Sequence, residues 1–244
     1  MDAIKLFMEI KMAFTFLARL TKSTSLLGIA LMSASTAYAN PSDDKRSEFV
    51  DVGALLPNAV LDIRYFGHHN FVGKPVDGYN APKCLLHSTA AAALKNVQVA
   101  AQTQGLSLKI FDCYRPQRAV DHFVRWVNDL EDTRTKAEFY PNLGKDKLLG
   151  DYIAAKSGHS RGSTIDLTLV DTKGKELDMG SPFDMFDTLS NTDDPRISAE
   201  QKANRYKLKS LMTEAGFAPY SMEWWHFTYQ PQAYPATYFD FVVE

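Results

Sequence analysis

SGHSRGSTIDLTLV, residues 157–170, places a histidine and an aspartate on either side of a short polar turn that leads into an apolar run. Six residues separate His159 from Asp166, and Gly158 and Gly162 break any helix there, so the two do not share a helix face. A turn is expected instead, built from the short side chains of Ser160, Ser163 and Thr164, delivering His159 beside the start of the strand IDLTLV. This reading makes the segment a turn followed by a sheet strand and brings two metal-ligating residue types together. Taken alone the pair says little, because polar turns often hold such residues; its weight depends on the rest of the chain.

Upstream, LSLKIFDCY (106–114) alternates Leu106, Leu108 and Ile110 with polar neighbours, the pattern of a half-buried strand. It stops at Tyr-Arg-Pro. Pro116 suits the first turn of a helix, QRAVDHFVRWVNDL, whose Val120, Phe123, Val124 and Val127 recur at helical spacing. Ser88 is placed to cap the alanine-rich helix TAAAALKNVQVAAQTQ, which Gly105 ends. The segments around 49–56 and 59–66 are rich in apolar and β-branched residues and read as strands, followed by a long glycine-punctuated loop that ends in Pro82. Downstream, Ser198 and Gln201 form a capping box that opens a helix closed by Gly216, and MEWWHFTYQ reads as a last strand. There is no regular βαβ repeat and no glycine-rich phosphate loop. The expected fold class is α+β: a single domain with a mainly antiparallel sheet flanked by helices, carrying the candidate metal site at the sheet edge.

The 244 residues, 45% hydrophobic and 23% charged, are ordinary for one globular domain with an appendage. The appendage is the amino terminus. Lys5, Lys11, Arg19 and Lys22 precede the apolar run LLGIALM and then small residues ending in AYA, a secretory signal layout with cleavage expected after Ala39. The run is shorter than the roughly 20 apolar residues a membrane span needs, so removal rather than anchoring is expected, and with it a periplasmic or secreted product. Asp2 and Glu9 are unusual in a signal's basic region, and a start at Met12 gives a tidier one. Residues 1–39 are thus expected to be a removed signal, and residues 40–244 the single mature domain. Removing four basic and two acidic residues takes the formal charge from −2 to −4, which argues against nucleic acid as a partner. Two cysteines, Cys84 and Cys113, are too few to frame the fold, and whether they pair stays open on compartment grounds alone.

Catalytic zinc is usually held by three protein ligands that leave a position for water. His159 and Asp166 are two candidates, and EWWH adds Glu223 and His226, a carboxylate close to a histidine, as a zinc hydrolase requires for proton transfer. On a regular strand residues three apart face opposite ways, so Glu223 and His226 share a site only if a bend intervenes; otherwise Trp224, Trp225 and Phe227 are simply a core strand. Arg115, at the end of a strand, is placed to stabilise an oxyanion. His87 and His122 read as ordinary boundary residues. His68 and His69 lie in the long loop, where a substrate contact is conceivable.

With these pieces in order, the chain resembles the VanX-type D-alanyl-D-alanine dipeptidases, zinc peptidases of the D-Ala-D-Ala-cleaving group. The resemblance is carried by LDIRYFGHHNFVG (61–73), LKIFDCYRP (108–116), SGHSRGSTIDLTL (157–169), LDMGSPFD (177–184) and EWWHFTY (223–229). It implies that His159, Asp166 and His226 bind one zinc ion per chain, that Glu223 is general base and then acid, and that Arg115 stabilises the tetrahedral intermediate. It also implies that Tyr65, Ser157 and Asp184 lie near the amino end of a small dipeptide substrate, D-Ala-D-Ala. Two features depart from it. Cys113 stands before Tyr-Arg-Pro, where the family pattern has a small residue, and an exported enzyme cannot intercept the dipeptide in the cytoplasm. Turnover of wall-derived D-Ala-D-Ala in the periplasm is therefore expected. Two alternatives remain: a D,D-carboxypeptidase acting on longer peptidoglycan stems, and a non-catalytic zinc-containing module that binds wall peptides, against which an intact Glu223 and Arg115 argue.

Overall fold

The alternating segment after Gly105 becomes the spine of the sheet. In the computed structural model, which describes residues 43–244, the strands are Phe49–Asp51 (β1), Val60–Leu61 (β2), Leu85–His87 (β3), Leu106–Asp112 (β4), Thr164–Asp171 (β5), Phe217–Pro219 (β6) and His226–Tyr229 (β7). The helices are Val52–Leu55 (α1), Ser88–Gln102 (α2), Gln117–Asn128 (α3), Lys136–Phe139 (α4) and Ala199–Glu214 (α5). The expected signal segment and its cleavage site lie outside the described residues. Among the described residues no helix is long and apolar enough to cross a membrane.

A five-stranded sheet has the order β2-β4-β5-β7-β6, and β1 pairs with β3 in a separate ribbon. Within the larger sheet β2 runs parallel to β4 and every other pairing is antiparallel, as an α+β domain requires. The chain is thus α+β, with helices against the sheet. β5 is buried from Thr164 to Val170, so both its faces are covered. Leu108, Ile110, Ile165, Leu167, Leu169 and Phe227 belong to the core, each such side chain contributing about 1.5–3 kcal/mol on burial. α2, with Ala90, Leu94, Val97 and Ala101 buried, packs on β4, and α5 packs on α2 and β6.

The capping box at Ser198 and Gln201 forms, and Gly105 and Gly216, at φ +69° and +90°, follow the ends of α2 and α5 in the left-handed region that glycine tolerates. Other expectations need correction. Ser88 is the first residue of α2 rather than its cap; His87 takes that role, its Nδ1 accepting from Thr89 N at 3.3 Å. The strand expected over 49–56 ends at Asp51, whose carboxylate accepts from Gly53 N at 2.9 Å and starts α1. The strand expected over 59–66 is only Val60–Leu61, because the chain then coils into the short turn Arg64–Phe66 that buries Tyr65. Neither His87 nor His122 is a boundary residue: both are buried, and the Nδ1 of His122 accepts from Asp77 N at 3.1 Å. Cys84 and Cys113 are joined in a disulfide, with Cα atoms 5.2 Å apart and a sequence separation of 29. A loop of that length gives about 3–4 kcal/mol in the chain-entropy account.

Candidate active site

The register of the sheet explains why distant residues meet. Asp166 of β5 is paired with His226 of β7 on one side and with Asp112 of β4 on the other. Residues at paired positions of adjacent strands project from the same face, so Asp112, Asp166 and His226 form one row across the inner strands of the sheet. The row depends on an irregularity. Between Ile110 and Asp112 the register shifts, leaving Phe111 without a partner, and this bulge sets Asp112 rather than Phe111 opposite Asp166.

His159 reaches the row from a turn. Ser157 accepts from His159 N at 3.2 Å and opens the short helical turn Gly158–Arg161, which Gly162 ends at φ +78°. A side chain at Gly162 would collide with the Phe49 ring, its Cβ lying 2.2 Å from Cε1. The ring of His159 is buried, and its Nδ1 lies 2.7 Å from the carbonyl of Cys113. A carbonyl only accepts, so Nδ1 carries the hydrogen and Nε2 of the neutral ring is left with its lone pair.

That lone pair faces the row. His159 Nε2 is 3.2 Å from Asp166 Oδ2 and 3.2 Å from His226 Nδ1, and His226 Nδ1 is 3.1 Å from Asp166 Oδ1. One ligand-type atom from each of the three residues lies within 4.8 Å of the others. Two imidazoles and a carboxylate are a common donor set for catalytic zinc. Asp166 Oδ1 supplies an independent sign: it is buried and makes no hydrogen bond of acceptable geometry, an arrangement that a cation would relieve. The hydrogen bond from His159 to a backbone carbonyl is also the outer support that metal-bound histidines use. The residues present fit a divalent metal.

Around this trio the charges are tightly organised. Asp112 is fully buried; its Oδ2 accepts from Arg115 Nε at 2.9 Å and lies 2.9 Å from Arg115 Nη2, and its Oδ1 accepts from the Tyr79 hydroxyl at 2.6 Å. Arg115 also lies 3.6 Å from Asp166 and stacks over Tyr65 and Phe123. Burial opposes its charge, yet the carboxylate of Asp112 beside it holds the guanidinium firmly protonated. Burial likewise opposes the charge on Asp166, but the two histidines hold its carboxyl below the usual range. Glu223 sits 3.5 Å from His226 Nδ1, and burial pushes its carboxyl up. Asp184 accepts from the Tyr65 hydroxyl at 2.9 Å and 3.1 Å, and burial, then the charge of Asp166, push it well above the carboxylate range. Its φ of +63° is unusual for a residue other than glycine.

Glu223 and His226 face one site because the expected strand is broken. Residues 221–225 form turns, with Glu223 N bonded to Tyr220 O and His226 N to Glu223 O, and β7 begins only at His226. Tyr65, Arg115, Ser157, His159, Asp166, Asp184, Glu223 and His226 all line one cavity of about 250 Å³.

Residues 45–244 match the model of the Peptidase M15 family, described as D-ala-D-ala dipeptidase. The chain belongs to this family. A D-alanyl-D-alanine dipeptidase of Streptomyces coelicolor is 44% identical over 198 residues, covering 80% of this chain and 98% of that protein. The namesakes in Enterococcus faecium and Escherichia coli are 42% and 36% identical, over 80% and 78% of this chain and 98% and 89% of their own lengths. As a member of the D-Ala-D-Ala dipeptidase family the chain is a peptidase of a metallopeptidase group.

Every site residue singled out from the sequence lines the cavity. His68 and His69 do not, and His69 pairs instead with Glu138 at 2.6 Å. Asp112 was missed, since within LKIFDCYRP it reads as one more polar strand position. The wall formed by residues 150–154 was missed too; GDYIA carries no periodicity or cluster of chemical groups to mark it.

Proposed function

We propose that this chain hydrolyses D-alanyl-D-alanine to two D-alanines with one zinc ion per chain, and that it acts outside the cytoplasm. The observation that carries the reading is the meeting of His159, Asp166 and His226 with Glu223 and Arg115 on the wall of one cavity. Zinc held by His159 Nε2, an Asp166 oxygen and His226 Nδ1 would supply Lewis acidity, making a water more acidic and polarising the scissile carbonyl.

The chain's own groups do the rest. Glu223, beside His226, takes the proton of the attacking water on a carboxylate oxygen and returns it to the leaving amine. Arg115 spends two of its N–H groups on Asp112 and keeps three for the oxygen that gains charge as the carbonyl is attacked. Asp184, with Tyr65 hydrogen-bonded to it and Ser157 on the same wall, receives the ammonium end of the dipeptide. The cavity, at about 250 Å³, has room for a substrate the size of a dipeptide.

Two features support export. The family match starts at residue 45, so the basic and apolar leader stands ahead of the part shared with the relatives. The chain also carries a disulfide, a bond that persists mainly in oxidising compartments. There the dipeptide would come from turnover of the cell wall.

The test is hydrolysis by the chain beginning at Asn40, with zinc and with a chelator, of D-Ala-D-Ala, L-Ala-L-Ala and a pentapeptide stem ending in D-Ala-D-Ala. Chelator-sensitive cleavage of the free D,D-dipeptide alone is expected. Cleavage of the stem would move the function to carboxypeptidase trimming, and a zinc-loaded protein that cleaves none of them would be a binding module. Recovery of the enzyme in the cytosolic fraction would overturn the export reading.

A further inference from the structure

The structure assigns the Cys84–Cys113 disulfide a positioning role: it holds the backbone carbonyl that orients His159, and so sets the geometry of the metal-ligand trio. This inference rests on the zinc dipeptidase reading.

The ladder between β4 and β5 ends at the pair Asp112–Asp166, and the chain continues through 113–115 without that support. This unsupported piece serves the site heavily. Cys113 offers its carbonyl to His159 Nδ1, Arg115 gives its guanidinium, and the preceding Asp112 anchors that guanidinium. Arg115 N bonds to His159 O at 3.4 Å and the Tyr114 hydroxyl donates to Phe241 O, but the ties at Cys113 and the Tyr114 backbone come from β3 and the residue before it. Tyr114 N bonds to Leu85 O at 2.9 Å, and Cys113 is covalently joined to Cys84, whose own carbonyl accepts from Val52 N at 2.8 Å.

The turn that carries His159 is tied to the same strand, because His87 N donates to Gly162 O at 2.8 Å. β3 is therefore the common mount for both ends of the His159–Cys113 hydrogen bond, with a covalent strut at one end and a backbone hydrogen bond at the other. Cys84 directly precedes β3 of the two-stranded ribbon and Cys113 directly follows β4 of the five-stranded sheet, so the strut joins the start of one strand to the end of the other. Both cysteines are 2% exposed or less, which shields the bond from thiol reductants and makes it a fixed part rather than a switch. Without it, Cys113 can drift from His159, the ring loses its tautomer and orientation, and the trio loosens.

The test compares wild type with Cys84→Ala/Cys113→Ala and, to fill the space the sulfurs leave, Cys84→Val/Cys113→Ala. Each is studied at a temperature where circular dichroism shows it folded. Zinc affinity is measured by competition with a chelator, and the cobalt-substituted protein is examined by visible absorption. A rise of about 10- to 100-fold in the zinc dissociation constant is expected, with a changed cobalt spectrum and a fall in kcat at nearly constant KM. Folded variants with wild-type zinc affinity and cobalt spectrum, and only a lower Tm, would overturn the inference; so would failure of both variants to fold, which would assign the bond to folding alone. Wild type that binds neither zinc nor cobalt would instead defeat the zinc reading beneath it.

Discussion

Replacing Asp112 with asparagine exchanges one carboxylate oxygen for an amide nitrogen at a fully buried position. The wild-type carboxylate divides its work, with Oδ2 on Arg115 and Oδ1 on the Tyr79 hydroxyl. An amide has one acceptor. If its oxygen stays on Tyr79, the amide hydrogens face the guanidinium, donor against donor; if it turns to Arg115, the Tyr79 hydroxyl loses its acceptor. In either arrangement the Arg115 charge stays buried, with Asp166 Oδ2, 3.6 Å away, as its nearest remaining anion. Removing one partner of a buried pair costs about 3–5 kcal/mol. The Arg115 side chain keeps 12% exposure and can relax slightly toward water, which favours the lower end. The expected loss is therefore about 3 kcal/mol, on the order of a hundredfold in the folding constant. A second effect follows, since Arg115 drawn toward Asp166 competes for a carboxylate of the metal trio, and zinc affinity should fall about 10- to 100-fold. Urea unfolding of the metal-free protein and chelator competition for zinc measure the two separately. A stability change below about 1 kcal/mol together with unaltered zinc affinity would refute the account of Asp112 as the anchor of Arg115.

Three other perturbations probe different parts of the molecule. Glu223→Gln keeps the size of the side chain but removes the proton acceptor; kcat should fall about 10²- to 10⁴-fold with zinc content unchanged, and activity within a few-fold of wild type would remove Glu223 from the mechanism. Gly162→Ala combines a left-handed backbone with a Cβ driven into a Phe49 ring that Tyr114, Phe239 and Phe241 hold in place. Its expected destabilisation is about 2–5 kcal/mol by urea midpoint, and a neutral result would show that Phe49 yields. Burial holds His122 below its ordinary pKa of 6.5, and its unprotonated Nδ1 accepts from Asp77 N. A depressed folded pKa means that the unfolded chain binds more protons, so this contribution is present above pH 6.5 and declines as pH falls from there through the folded pKa. His122→Asn, which can keep the acceptor without titrating, should flatten stability against pH in that window; an unchanged slope would exclude His122 as its source.

The local grammar of the chain was legible without the fold. Period-2 alternation at Leu106, Leu108 and Ile110, helical spacing at Val120, Phe123 and Val127, and the capping box at Ser198 and Gln201 depend on neighbours a few residues away. The same holds for the turn between His159 and Asp166, which two glycines and three short polar side chains require. The residue types of the site, two histidines, an aspartate, a glutamate and an arginine near the ends of elements, were readable because chemistry restricts which side chains hold a metal or move a proton.

Their assembly was not readable in this way. The row Asp112–Asp166–His226 exists because of strand register and the bulge at Phe111, and register is settled by which apolar faces find each other across the core rather than by any one strand. The turn through Met222–Trp225 that faces Glu223 toward His226 is likewise imposed by packing, against the strand-forming preference of its aromatic residues. The pairing of Cys84 with Cys113 also waited on β3 lying beside the end of β4. From the sequence alone came the chemical parts and the local shapes that bear them; the tertiary structure decided which parts meet, because contacts between residues far apart in the chain are set by the sum of the core's packing.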